Sequence, residues 1–311
     1  MDRRDFLKTV AITGAALSIQ HSEAMEILTQ TINNTNGGNP DLVAVMGGEP
    51  EAMFRRAISE LGGMKQFVKP GQKVVVKPNI GWDKVPELAG NTNPKLIEEI
   101  VRQCFAAGAK EVVVFDHTCD DWQKCYKNSG IEAAAKAAGA KVMPAHLESY
   151  YKPVNLPNGQ KMKKAKIHEA ILNCDVWINV PILKNHGGAN LTISMKNHMG
   201  IVWDRGFFHQ NDLQQCIADI CTLQKKAVLN VVDAYRIMHQ NGPQGKSAAD
   251  VATLKSLIAS PNIVAIDTAA LRLFNQVKKL DMAAVGHIGK GEALKLGTTN
   301  LDNVTIKRIK I

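Results

Sequence analysis

Val176–Gly200 reads VWINVPILKNHGGANLTISMKNHMG and joins an apolar run to a polar, glycine-bearing loop. The apolar run extends through Leu183 and is typical of a strand buried on both faces of a sheet. The polar part is rich in hydrogen-bond donors and potential ligands, which are Lys184, Asn185, His186, Asn190, Thr192, Ser194, Lys196, Asn197 and His198. We interpret this stretch as the floor of a binding site.

Short Val/Ile-rich runs alternate with helical patterns on both sides of this stretch. The predicted strands are 42–46, 73–77, 111–115, 140–143, a run from 176, 227–232 and an edge strand at 304–311, and the predicted helices are 51–61, 94–107, 130–138, 166–173, 212–225 and 263–274. This alternation predicts an α/β fold with a mostly parallel sheet and helices on both faces. Asn158-Gly159 favours a hairpin within 153–166. We expect one α/β domain over 41–311, with a smaller inserted or appended lobe.

The N-terminal residues have the features of an export signal. Arg3-Arg4 is followed by Asp5-Phe6-Leu7-Lys8, by a mildly apolar run from Val10 to Ile19, and by the small-x-small pattern Ser22-Glu23-Ala24. This order resembles a twin-arginine signal, and the apolar run is too short to span a bilayer. We expect residues 1–24 to be a signal peptide, 25–40 a linker, and the mature protein to be periplasmic without a stable membrane span. The alternative is an amphipathic N-terminal helix with two coincidental arginines.

The charge balance favours an anionic ligand. Lys and Arg number 38 against 29 Asp and Glu, for a formal net charge of +9. Such an excess suits a small carboxylate or phosphate, although a solvated surface charge gives the same total. The basic residues are not interleaved with aromatic residues, so we expect no nucleic-acid partner.

The six cysteines do not form a cluster-binding motif. The chain has no C-x-x-C pattern, so it carries no iron–sulfur ligand set of its own. Cys119 and Cys125 flank a predicted loop and are the best candidates for a disulfide, although the sequence leaves open whether they pair. Cys104, Cys216 and Cys221 fall in apolar helical patterns and are expected to be core thiols.

Polar side chains follow four of the predicted strands. Lys77, Asp116, Lys184 and Asp233 each come after an apolar run. The carboxyl ends of parallel strands meet at one edge of a sheet, so these side chains are expected to converge in a crevice. A polar strand end is also what any strand that stops at the surface shows, and four in succession make that alternative weaker.

Three roles are assigned to residues around this crevice. Residues expected to hold a carboxylate or phosphate are Lys77, Asn79, Thr92, Lys196 and Asn197. Residues proposed for acid–base chemistry are Lys184, His186 and Asp233. Residues proposed as ligands of a transition metal are Asp116, His186 and Asp267. No G-x-S-x-G or early G-x-G-x-x-G pattern occurs, so a serine triad and a dinucleotide site are disfavoured.

A set of short motifs resembles the family called domain of unknown function 362. The motifs are Lys77-Pro78-Asn79, Thr92-Asn93-Pro94, Ala107–Val112, Lys184-Asn185-His186, Lys196–Gly200, Asp233 with Gly242–Gly245, and Asp267. The usual family form has Lys-Thr-His at the fourth motif and Lys-Asn-Leu at the fifth, so we place His186 ahead of His198 as a ligand or proton donor. The resemblance implies no agreed reaction. Many members carry a ferredoxin-like iron–sulfur domain, so a redox role here implies a ferredoxin-like or other redox partner, or a different metal.

Three hypotheses follow for the function. The first is an exported enzyme acting on a small anionic substrate, whose lysines hold the anion and whose His or Asp residues move protons or bind a metal cofactor. The second is a non-catalytic periplasmic binding or accessory protein for a redox or metal system. In the third, the polar strand ends only tie parts of the fold together by hydrogen bonds.

Overall fold

The computed structural model describes residues 38–311. The predicted signal peptide and most of the predicted linker lie outside the described residues. Asn39–Ile311 form one compact unit. Within the described range, none of the helices combines the length and the apolar character needed to cross a bilayer.

The described chain forms strands and helices in regular alternation. The strands are β1 (Leu42–Met46), β2 (Lys73–Pro78), β3 (Glu111–Val114), β4 (Lys141–Val142), β5 (Tyr151–Asn155), β6 (Lys164–His168), β7 (Val176–Val180), β8 (Ile182–His186), β9 (Asn190–Thr192), β10 (Leu229–Met238), β11 (Val251–Ser260) and β12 (Ile306–Lys310). The helices are α1 (Pro50–Glu60), α2 (Pro94–Ala106), α3 (Trp122–Asn128), α4 (Ile131–Ala137), α5 (Glu169–Asn173), α6 (Ser194–Asn197), α7 (Gly206–Gln210), α8 (Leu213–Ile220), α9 (Ile263–Phe274) and α10 (His287–Ala293).

One large sheet organises the fold, in the order β12-β1-β11-β10-β7-β2-β3-β4, with β8 pairing to β10 and β9 pairing to β8. The neighbours β10, β7, β2, β3 and β4 run parallel. β11 is antiparallel to both β1 and β10, and β9 is antiparallel to β8. The predicted mostly parallel α/β sheet is therefore confirmed, with antiparallel strands added on one side.

Helices cover both faces of this sheet, because successive strand residues point to opposite sides. Val74 and Val76 of β2 pack with α1, α2 and α4 in one core, whereas Val75 packs into a second core with α8, α9 and α10. β7 divides in the same way, with Trp177 in the second core and Ile178 in the first. The apolar Val/Ile runs reflect this burial on both faces.

The smaller lobe is a separate two-stranded antiparallel sheet made by β5 and β6. It is inserted between β4 and β7, where the sequence predicted a hairpin. The predicted helix 166–173 is wrong in its first part. The chain stays in β6 until His168, whose side chain accepts from the amide of Ala170 and caps the shorter helix α5.

Two strand boundaries differ from the predictions in ways that move site residues. Pro181 has no amide hydrogen, and the chain divides there into β7 and β8, so Lys184 lies within a strand. β10 continues to Met238 because it pairs with β11 beyond Asp233, which therefore lies inside the strand and not at its end. β11 itself was not predicted, since Lys255 and Ser256 interrupt its apolar pattern.

Candidate anion site

A buried ion pair lies at the carboxyl ends of β2 and β3. Lys77 is 0% exposed, and its Nζ is 2.8 Å from Oδ1 of Asp116, which is 2% exposed. The other carboxylate oxygen of Asp116 accepts from the amide of Ile80 at 2.6 Å. Burial lowers the pKa of Lys77, and the charge of Asp116 opposes that shift. Lys77 thus has its counter-charge within the protein.

Asn197 connects this ion pair to the neighbouring strand ends. Its Oδ1 accepts from Nζ of Lys77 at 2.9 Å and from Nδ2 of Asn79 at 3.0 Å. Its Nδ2 donates to Oδ1 of Asn179 at 2.9 Å. Asn79 and Asn197, both predicted to bind a ligand, are therefore part of a hydrogen-bond network that orients the lysines.

Lys184 is the buried lysine without a carboxylate partner. It is 1% exposed, and its Nζ donates to Oδ1 of Asn79 at 3.1 Å and to the carbonyl of Gly90 at 2.5 Å. Both acceptors are neutral, and no carboxylate of residues 38–311 lies within ion-pair distance of this amine. Burial, with a further contribution from the charge of Lys196, lowers the pKa of Lys184 to about 7.

Lys196 is half-buried beside this group. Within the described chain its Nζ has no hydrogen-bond acceptor. Burial, reinforced by the charges of Arg205 and Lys77, lowers the pKa of Lys196 to about 8. Its own charge contributes, after burial, to the lowered pKa values of Lys184 and His186.

Asp267 anchors the start of helix α6, which carries Lys196. Its two carboxylate oxygens accept from the amides of Ser194 and Met195, each at 2.8 Å. These are the first residues of α6, and Asn197 at the other end of α6 enters the Lys77 network. Burial raises the pKa of Asp267 to about 7. Lys196 therefore extends from a short helix anchored at both ends.

Gly200 allows the chain to pass directly over the ion pair. A Cβ at this position would lie 1.9 Å from Oδ1 of Asp116 and 2.5 Å from Nζ of Lys77. No side chain fits there without displacing one of the two charged groups. The glycine that ends the opening stretch is thus required by close approach.

Arg205 contacts residues 117–119 and was not predicted from the sequence as a site residue. Its Nη1 donates to the carbonyl of His117 at 2.9 Å and contacts Sγ of Cys119 at 3.2 Å, and its Nη2 donates to the carbonyl of Thr118. Cys119 is an exposed free thiol, and Cys125 is a buried one. These two cysteines do not form a disulfide in the structure.

His186 lies at the edge of the site as a neutral donor. Its Nδ1 accepts from the amides of Gly188 and Ala189, both at 3.1 Å, so the ring hydrogen is on Nε2. Burial and then the charges of Lys196 and Lys184 lower the pKa of His186 to about 2. At neutral pH this side chain carries no charge, and its Nε2–H is a potential hydrogen-bond donor.

The side chains of Thr92 and Asp233 form hydrogen bonds with backbone groups, so they are not free to contact a ligand. Oγ1 of Thr92 donates to the carbonyl of Val180 at 2.7 Å and accepts from the amide of Asn79 at 2.8 Å. Asp233 accepts from the amides of Asn93 at 2.7 Å and Tyr235 at 3.0 Å. Burial raises the pKa of Asp233 to about 6. Their geometry supports a structural role.

The three residues predicted as metal ligands are not brought together. Asp116 is paired with Lys77, Asp267 binds the amides of α6, and His186 accepts two loop amides. In residues 38–311, no three His, Cys, Asp or Glu side chains are arranged to hold a metal ion. The geometry does not support this ligand set.

Comparison with known proteins gives three findings. A family model described as Domain of unknown function (DUF362) matches residues 74–272. A thylakoid-associated protein of Synechocystis sp. is 24% identical over 255 residues, which cover 80% of this chain and 76% of that protein. The lactate racemase apoprotein from Thermoanaerobacterium thermosaccharolyticum aligns with a TM-score of 0.43 and 11% identity, over 69% of this chain and 53% of that one. The chain thus spans about half the length of that solved structure.

Proposed function

The chain belongs to the family Domain of unknown function (DUF362), whose model matches more than half of it, and we propose that it binds a small anion in the crevice beside Lys184 and Lys196. The anion is a carboxylate or a phosphate, since both present oxygens to ammonium donors. Lys77 and Asp116 form the closed side of this site, and His186 contributes a neutral N–H at its edge.

One observation carries the proposal. Lys184 is 1% exposed, and its acceptors are two neutral oxygens. A buried ammonium without a counter-charge is costly, so it either loses its proton or gains an anion. The second unpaired amine, that of Lys196, carries a charge that helps to lower the pKa of Lys184. Two amines with lowered pKa values and no carboxylate of their own favour a bound anion over a purely structural role.

These amines also suit proton transfer to the bound anion. With pKa values of about 7 and about 8, Lys184 and Lys196 exchange protons near neutral pH. The predicted acid–base role of Asp233 is not part of this proposal, because both of its carboxylate oxygens accept hydrogen bonds from backbone amides. A redox-linked activity with a ferredoxin-like partner rests on family resemblance alone, so we propose anion binding as the primary function.

Calorimetric titration with oxalate and with phosphate tests the proposal. We expect at least one of them to bind the wild type at pH 7, and Lys184→Met to weaken that binding by roughly tenfold or more, since a charge-assisted hydrogen bond is lost. Lys127→Met is the matched control, because Lys127 is an exposed lysine on α3. Its affinity should equal that of the wild type.

The melting temperature separates binding from a structural role. If Lys184 only ties strands together, Lys184→Met destabilises the protein and neither anion raises the melting temperature of the wild type. If the amine awaits an anion, Lys184→Met leaves the unliganded protein as stable or more stable, because a buried charge is removed. The first pattern would contradict the proposal.

Export by the twin-arginine route is part of the same proposal. Arg3-Arg4, the apolar run Val10–Ile19 and Ser22-Glu23-Ala24 support it. Fractionation of cells that express the full chain should recover the protein in the periplasm. Replacement of Arg3 and Arg4 by Lys should retain it in the cytoplasm, and an unchanged distribution would contradict export by this route.

A further inference from the structure

The inserted hairpin lines a cavity whose walls include neither Lys184 nor Lys196. β5 and β6 form one wall, and residues 202–207 form the other, around a volume of about 780 Å³. The two walls are joined by the amide of Trp203, which donates to the carbonyl of Lys166 at 3.0 Å, and by a bridge between Ile167 and Val202. A cavity of this size holds a small organic molecule.

Its aromatic wall is flat and uncharged. Trp203 is half-buried and stacks on the ring of His117, with ring centroids 5.2 Å apart and planes 3° from parallel. Burial, then the charge of Arg205, lowers the pKa of His117 to about 4, so the ring is neutral at pH 7. Phe207 and Met162 extend the apolar lining. Such a surface favours a planar ligand body.

Arg205 lines the same cavity, and some of its guanidinium N–H groups have no acceptor in the described chain. A guanidinium has five N–H groups, and the carbonyls of His117 and Thr118 and the thiol of Cys119 use three of them. Nε–H and the second Nη2–H have no acceptor in the described part of the chain. Two adjacent guanidinium N–H groups are the donors that grip the two oxygens of a carboxylate.

The other charged residues at the cavity leave the net charge of its lining positive. Lys166 is paired with Glu148, and both are solvent-exposed. Asp204 accepts from the amide of Phe207 at 3.1 Å. Lys164 lines the cavity and forms no ion pair within residues 38–311. The cavity thus combines an apolar aromatic wall with a net cationic rim.

We propose that this cavity binds an aromatic carboxylate, with the carboxylate on Arg205 and the ring system against Trp203. The proposal is independent of anion binding at Lys184, because it rests on different donors and a different cavity. Arg205 lines this cavity and also contacts Cys119.

Binding of 2-naphthoate, measured by calorimetry at pH 7, tests this assignment, with 2-naphthamide as the neutral control of the same shape. We expect the acid to bind the wild type roughly ten- to a hundredfold more tightly than the amide, the range for a charge-assisted, two-pronged contact. Equal affinities of acid and amide, or no binding of either, would overturn the proposal.

Variants locate the contact. Arg205→Gln should abolish the preference for acid over amide, Trp203→Leu should weaken both ligands alike, and the control Lys127→Met should bind 2-naphthoate as the wild type does. Arg205→Lys keeps the charge but not the paired donors, so a partial loss of the preference is expected even if Arg205→Gln fails to fold. An unchanged preference in both Arg205→Lys and Arg205→Gln would contradict a site on Arg205.

Discussion

Nζ of Lys77 lies 2.8 Å from Oδ1 of Asp116, in a position where neither residue is more than 2% exposed. This pair is complete within the protein, whereas the buried Lys184 near it has only neutral acceptors. Of these two buried lysines, only Lys77 has its charge balanced by a carboxylate of the described chain. Lys77 is part of a buried ion pair, and Lys184 is the lysine that we propose to bind the anion.

The ion pair should be costly to break from one side only. Asp116→Leu leaves the ammonium of Lys77 buried without a counter-charge, and we expect a loss of about 3–5 kcal/mol in the free energy of unfolding. Lys77→Met combined with Asp116→Leu removes both charges and should be less destabilising than either single change. Urea denaturation of the four proteins measures this cycle, and additive single effects would contradict the coupling.

Gly200→Ala tests the close approach over the pair. The added Cβ would lie 1.9 Å from Oδ1 of Asp116, so one charged group must move, and we expect a loss of about 1–3 kcal/mol. Gly289 is the control, since an exposed helical position with nothing within 4 Å of the added Cβ accepts alanine freely. Gly289→Ala should stabilise the protein by about 0.5–1 kcal/mol. Equal effects in denaturant melts would count against the steric account.

The pH dependence of the free energy of unfolding tests the lowered pKa of Lys184. The pKa of Lys184 is about 7 in the fold and about 10.4 in the unfolded chain, so the unfolded state binds more protons between these values. The free energy of unfolding therefore rises with pH above 7, by about 2 kcal/mol from pH 7 to 8.5 for this group alone. Lys184→Met lacks this contribution.

The measurement is the difference between wild type and Lys184→Met at each pH. The buried thiols, whose pKa values are raised by burial, lower stability once the unfolded chain ionises its cysteines, but both proteins share that effect. The difference should move in favour of the wild type as the pH rises from 7 to 8.5. Parallel profiles would show that Lys184 keeps an ordinary pKa.

Cysteine labelling distinguishes the one exposed thiol from the rest. Cys119 is exposed and contacts Arg205, whereas the other five cysteines are buried. Brief treatment of the native protein with iodoacetamide should alkylate Cys119 alone, as read by peptide mass spectrometry. Denatured protein should label at all six positions, and the absence of label at both Cys119 and Cys125 after unfolding would indicate that they pair.

The sequence was sufficient where patterns are local and strong. Continuous Val/Ile runs predicted the parallel strands, and the polar residues after them predicted that Lys77, Asp116 and Lys184 lie at one edge. Prediction from the sequence was wrong where contacts with distant segments determine the structure. Asp233 reads as a strand end, yet pairing with β11 carries the strand past it, and its oxygens are taken by backbone amides.

Other site features depend on contacts between distant segments. Arg205 lies in a loop without periodicity, and its importance comes from reaching the carbonyls of residues 117 and 118. Asn179 interrupts an otherwise apolar strand, yet its side chain accepts a hydrogen bond from Asn197 in the buried network. The sequence offers no signal for such long-range hydrogen bonds.

Proton uptake on anion binding tests the central claim most directly. Oxalate is fully ionised above pH 6, so its calorimetric titration in two buffers of different ionisation enthalpy counts protons taken up by the protein. At pH 8 Lys184 is largely neutral and Lys196 about half protonated, and both should gain charge, giving roughly one proton or more per bound anion. At pH 6 the uptake should be near zero. Binding at pH 8 without proton uptake, or equal uptake in the Lys184→Met and Lys196→Met double variant, would contradict the account.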